Sequence, residues 1–309
     1  MVNRGLAYWS AAMTGPVSVN AETYAELVAH PRFEDACRLL VAKGMARYRQ
    51  NSVFSRATKD VSRFFFGYFA LYLHARGDLT LTTIRDLCSE MGLASPGRAA
   101  AILLRLRMIG YVQADTTQTD RRVRRYVPTQ SMRAEFLQAN RDELAALALI
   151  EPEADIAAKR LDDPAFYRAF MLRMGEGLAA VVADSGSGGE ERNATTLFTT
   201  RNSGTMILLD IAISGEAGDA YPPRGPVKMN VRELSRKYDV SRSHVHKLLL
   251  DAEKAGLLTR NPDEQAGVFS EKLRTGIIDL HVAQLIGNAA CAHHATLATA
   301  NSADVAAAS

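Results

Sequence analysis

Two stretches of this chain repeat one another, and the repeat restricts the available folds more than any other feature. Residues 83–112 read TIRDLCSEMGLASPGRAAAILLRLRMIGYV, and residues 230–258 read NVRELSRKYDVSRSHVHKLLLDAEKAGLL. Each opens with a short amphipathic helix, inward at Ile84, Leu87 and Met91 in the first copy and at Val231, Leu234 and Tyr238 in the second. A tight turn follows, closing on Leu93 or Val240, and a serine, Ser95 or Ser241, is placed to cap the next helix. Pro96 stands where helix starts accept proline. The longer second helix stops at Gly110 or Gly256, where glycine relieves a left-handed turn. An apolar pair, Tyr111–Val112 or Leu257–Leu258, then begins an extended segment. Ser95 and Ser241, Leu103 and Leu249, and Gly110 and Gly256 all lie 146 positions apart. Ile84 and Val231 lie 147 apart, so the first copy has one extra residue in its turn. Cap, stop, apolar face and spacing agree together, which marks an internal duplication.

Two helices joined by a short turn, the second facing solvent, form a helix–turn–helix. A hairpin after each copy makes it winged. The first hairpin is YVQADTTQTDRRVRRYVP (111–128), with DTTQTD between two β-prone arms. The second is LLTRNPDEQAGVFS (257–270), turning at Asn261–Pro262. The expected fold is mainly α with small β wings: tandem winged helix-turn-helix domains on a helical scaffold, arranged as a pseudo-dimer.

The stretch SPGRAAAILLRLRMIGYV, followed by TDRRVRRYVPTQSMRAEF, resembles the recognition helix, wing and following helix of the MarR class of bacterial transcription regulators. Asp120 and Arg122 match that family's wing-tip Asp-x-Arg. The resemblance covers residues 60–140 and 200–272. It implies sequence-specific binding to double-stranded DNA and regulation of transcription. The family normally has one such domain per chain and dimerises, whereas two are fused here.

The N-terminal end of the second helix of such a motif enters the major groove. In the second copy Arg242, Ser243, His244, His246 and Lys247 cluster at that end, opposite the inward Val245, Leu248, Leu249 and Ala252. Arg242 and Lys247 suit guanine edges or phosphates, and Ser243 and the histidines can donate to either. Arg236 and Lys237 are expected to face the DNA backbone, and the cap Ser241 completes the set with Arg260 on the wing. The first copy offers Ser95, Arg98 and Arg105 among apolar neighbours, a poor set for base reading, but its wing carries Arg121, Arg122, Arg124 and Arg125. A wing of this kind can put arginine into a narrow minor groove. Residues 61–132 hold ten Lys/Arg and five Asp/Glu, a local net charge of +5. The second wing has Asp263 and Glu264, which repel phosphate. The first domain is therefore expected to bind mainly through its wing, the second mainly through its helix. Two such heads can meet successive major grooves, roughly 34 Å apart.

Five sequential segments follow: an N-terminal helical segment (1–58), winged-helix domain 1 (59–130), a helical connector and linker (131–193), winged-helix domain 2 (194–270), and a C-terminal helix and tail (271–309). Pro31 breaks the first segment, and Pro152 and Pro164 break the connector. DSGSGGEER (184–192) reads as the linker, and NSADVAAAS as a frayed end. The helices at 21–58, 131–183 and 271–299 are expected to brace both heads in one central core. Phe166, Phe170, Met171 and Met174 form an apolar stripe that suits a core better than an effector pocket.

The 309 residues carry a net charge of +3, which permits a nucleic-acid partner without demanding one. Cys37, Cys88 and Cys291 form no CxxC pair, which fits free thiols in a reducing compartment. His244 and His246 project about 200° apart on a helix, so they cannot share one metal ion. No P-loop, GxGxxG, HExxH or GxSxG occurs. The N-terminus lacks a clean apolar leader, and no apolar run reaches a membrane span of roughly 20 residues. The expectation is a cytoplasmic, nucleoid-associated DNA-binding protein: not an enzyme, without cofactor, metal or membrane. A homodimer and a small-molecule or protein effector stay open. The other readings are a plasmid-type replication initiator with tandem winged helices, and a protein-interaction scaffold that does not touch DNA.

Overall fold

The computed structural model describes residues 21–117, 123–187, 194–216 and 218–307. The stretch on which the lack of a leader was read therefore lies outside the described residues. The order begins α1 (Ala21–Ala29), α2 (Phe33–Gln50), α3 (Ser52–Ala57), α4 (Val61–Ala75), α5 (Leu81–Glu90) and α6 (Pro96–Met108). Next come β1 (Val112–Ala114), β2 (Tyr126–Pro128), α7 (Gln130–Leu147), α8 (Glu153–Arg160) and α9 (Pro164–Ser187). It closes with α10 (Thr196–Thr199), α11 (Gly204–Ile213), β3 (Val227–Lys228), α12 (Val231–Lys237), α13 (Arg242–Lys254), β4 (Leu258–Asn261), β5 (Ala266–Phe269) and α14 (Glu271–Ala307). The protein is thus mainly helical, with two small antiparallel sheets.

The chain forms two compact units that are not sequential halves. The first takes residues 1–30, 62–187 and 284–309, the second 31–61 and 188–283. This differs from the five sequential segments and the shared central core read from the sequence. The N-terminal segment is divided at Pro31, and α14 is divided after Ala283.

In the first unit α4 is apolar almost all round, and Phe66, Tyr68, Phe69, Ala70, Leu71 and Leu73 are buried. A Cβ on Gly67 would sit 2.3 Å from the Phe136 ring, so glycine is what lets α7 approach. Two polar links lie inside this core. The Tyr68 hydroxyl donates to Asn140 at 2.9 Å, and the Asn288 amide donates to Glu143 at 2.7 Å. Phe166, Phe170, Met171 and Met174 are buried, in keeping with the core reading of that stripe. Helix α9 continues through Ser187, into the stretch read as a linker, and residues 188–193 lie outside the described residues. Helix α14 likewise continues to Ala307, where a frayed end was expected.

The second unit explains why α2 leaves the N-terminal segment. Tyr48 packs on Tyr238 with ring centroids 5.7 Å apart, and its hydroxyl shares a 2.8 Å hydrogen bond with Ser203. The Ser203 amide donates to the Lys59 carbonyl at 2.6 Å. Val41 and Met45 of α2 and Ile207, Leu208 and Ile211 of α11 extend this core.

All three cysteines are free and buried. Burial pushes the Cys37 thiol up to about 12 and Cys88 up to about 11. No helix among the described residues is long and apolar enough to cross a membrane.

Candidate nucleic-acid interface

Each unit carries the same local construction. Helix α5 opens with a capping box between Thr80 and Thr83, and Asn230 caps α12 by accepting from the Glu233 amide at 2.9 Å. The turn reverses through a left-handed residue, Gly92 at φ +62° in one copy and Asp239 at φ +49° in the other. Leu93 N–H donates to Cys88, and Val240 N–H to Ser235. Ser95 then caps α6 through the Arg98 amide, and Ser241 caps α13 through the His244 amide. Both second helices stop alike. Tyr111 N–H donates to Leu106 at 2.8 Å and Leu257 N–H to Ala252 at 2.9 Å, with Gly110 and Gly256 at φ +77° and +67°.

Both hairpins are antiparallel. Val112 faces Pro128, and Leu258 faces Phe269. A further short partner precedes each first helix, which sequence reasoning missed. In the second unit it is strand β3, paired with β5. In the first it is an isolated bridge from Thr80 to Arg125. Two residues are too few for a period to show.

The buried face of α13 is Val245, Leu248, Leu249 and Ala252, as the spacing predicts. Helix α6 buries Ala99, Ile102, Leu103 and Leu106. On the outside Ser95, Arg98 and Arg105 are exposed in the first copy, and Arg236, Ser241, Arg242, Ser243, His246 and Lys247 in the second. Arg242, His246 and Lys247 have no hydrogen-bonded or ion-paired partner among the described residues. The two cap serines direct their oxygens to helix amides, so their acceptor role is structural.

Four predicted contacts have structural partners. Lys237 does not face outward: its ammonium sits 2.6 Å from both carboxylate oxygens of Asp210 on α11. Arg260 is clamped by Glu253, with Nε at 3.0 Å and Nη2 at 2.7 Å from Oε2. The same pairing holds the Glu253 carboxyl below the usual range. His244 is half-buried, with its Nε2 2.9 Å from the Asn202 carbonyl. Arg125 remains exposed but donates to the Gly77 carbonyl, tying the hairpin to the end of α4. In each case the side chain's polar atom is held by a neighbour within the fold.

On the first hairpin Arg124 is exposed, with its guanidinium 5.9 Å from the Tyr126 ring centroid. Arg107, which sequence reasoning passed over, lies 5.5 Å from the same centroid. Nineteen positions separate it from Tyr126, so no local spacing signals the pair. Asp120, Arg121 and Arg122 lie outside the described residues. The second turn, after Asn261, places Gln265 at φ +50° and keeps Asp263 and Glu264 exposed. Among the described residues no group of three or more His, Cys, Asp or Glu could hold a metal ion.

The Lys237 assignment has a measurable consequence. Lys237→Ala strands Asp210, whose side chain is 13% exposed, beside the buried face of α11. Thermal or urea unfolding is expected to show a loss of about 1–3 kcal/mol. If Lys237 touched DNA instead, stability would hold and the salt dependence of binding would fall.

No family model, no curated protein and no solved structure matches this chain.

Proposed function

We propose that this protein is a sequence-specific regulator of transcription that binds double-stranded DNA through two winged-helix heads. The observation that carries the reading is the repeated, capped helix with an apolar buried face and an exposed N-terminal end, followed each time by an antiparallel hairpin. The MarR-like residues of the first copy support it. In the second head the exposed Arg242, Ser243, His246 and Lys247 on α13 form the base-reading set, with Arg236 toward phosphate. In the first head Arg98, Arg105 and Arg124 supply the positive rim. Lys237, His244, Arg260 and Arg125 hold the heads in shape.

The deciding experiment maps the genomic sites bound by the full chain. Sites spread over promoters are expected. Clustered repeats at an origin would make it a replication initiator, and no enrichment would make it a scaffold. A second measurement concerns Arg124. Arg124→Gln is expected to lower affinity on all sequences and reduce the slope of log K against log salt by roughly 0.9 per lost phosphate contact. An unchanged slope would remove Arg124 from the interface.

A further inference from the structure

The outer face of α6 differs from that of its counterpart. Gly97, Arg98, Ala101, Leu104, Arg105 and Met108 recur at helical spacing, and all six are exposed. Leu104 is 54% exposed and Met108 79%, whereas Ala99, Ile102, Leu103 and Leu106 fill the buried side of the same helix. At 146 positions further on, Lys247 stands in place of Ala101 and Lys254 in place of Met108. Leu104 has a leucine counterpart, Leu250, and Arg105 stands where the second helix has Asp251, so the first helix carries carbon in place of lysine at Ala101 and Met108 alone and is the more positive near its end. It keeps three arginines and has no acidic residue over its 13 positions.

Only one base presents an apolar group in the major groove: thymine, through its 5-methyl. We propose that α6 reads thymine methyl groups, with Ala101 and Leu104 as the specificity-determining residues and Arg98 and Arg105 on the flanking phosphates. This rests on the DNA-binding reading above and sharpens it. The two heads recognise different chemistry, methyl groups in the first and hydrogen-bonding edges in the second. The all-positive charge of α6 favours a polyanion over a second protein surface as the occupant of this face.

The test uses the full chain and a duplex selected by it from a random pool. Each thymine is replaced singly by deoxyuridine, which removes the methyl and leaves base pairing intact. Wild type is expected to lose about fourfold in affinity at one or more positions, the equivalent of about 0.8 kcal/mol per buried carbon. In Leu104→Ser the thymine-to-uracil ratio at those positions is expected to approach one, with the thermal unfolding midpoint unchanged because the side chain is exposed. Ala101→Ser gives an independent second variant. The proposal is overturned if the selected duplex has no favoured thymine, if uracil binds as well as thymine, or if Leu104→Ser keeps the full ratio. It is also overturned if Leu104→Ser shifts the sedimentation coefficient from dimer to monomer, which would assign the face to a second copy. Failure to select any duplex would overturn the DNA-binding reading itself, and this one with it.

Discussion

Arg242→Ala is expected to weaken binding to the preferred duplex by roughly 1–3 kcal/mol, a loss of about five- to a hundred-and-fiftyfold. Arg242 is the first residue of α13, next to the Ser241 cap, and no partner among the described residues restrains it. The helix N-terminus adds a partial positive charge at the same place. A guanidinium there can make paired bonds to a guanine, so the loss should be large on the preferred site and small on unrelated DNA. Lys247, one turn further and also exposed, should give a smaller change because its ammonium makes no fork. Equal weakening on all sequences in Arg242→Ala would reassign the residue to phosphate.

Glu151→Gln is expected to stabilise the protein by roughly 2–3 kcal/mol at pH 8 and to change nothing near pH 4.5. Glu151 is 5% exposed, and neither carboxylate oxygen has a hydrogen-bond partner among the described residues. Burial first, and the nearby Glu153 second, push its carboxyl up to about 7. The folded state therefore binds this proton more tightly than the unfolded chain does. Ionisation opposes folding: the cost is absent below the unfolded value, grows as pH rises from about 4.5 to about 7, and is complete above. Glutamine keeps the shape without the charge. Urea unfolding of both proteins across pH 4.5–8 measures the difference, and a gap independent of pH would mean that the Glu151 carboxyl ionises as readily in the fold as in the unfolded chain.

Much of each repeat is written in local sequence. The caps Ser95 and Ser241, the stops Gly110 and Gly256 and the buried face of α13 depend on neighbours within a turn or two, so spacing alone specifies them. The side chains held within the fold depend on partners that periodicity does not address. Lys237 meets Asp210 from 27 positions away, His244 meets the Asn202 carbonyl from 42 away, and Arg125 meets Gly77 from 48 away. Arg260 and Glu253 are seven apart, across the end of a helix and the start of a strand. The same reason hides the division of the N-terminal helices. Pro31 marks a break in the pattern, but only the packing of Tyr48 on Tyr238 shows which unit takes the piece that follows. Conversely, the exposure of Ala101, Leu104 and Met108 on α6 follows from helical spacing alone, since Ala99, Ile102, Leu103 and Leu106 take the buried face.

Tyr126 has a further consequence. With the Arg107 and Arg124 guanidiniums each within 6 Å of its ring centroid, it narrows the rotamers open to both arginines. Ordering a long side chain costs about 0.5–1.5 kcal/mol when it happens at an interface. Here part of that ordering is complete once the hairpin has folded, so less freedom would be lost if a polyanion bound this face as proposed. Tyr126 would thus act on the entropy of such binding through the arginines it holds, not through contact of its own.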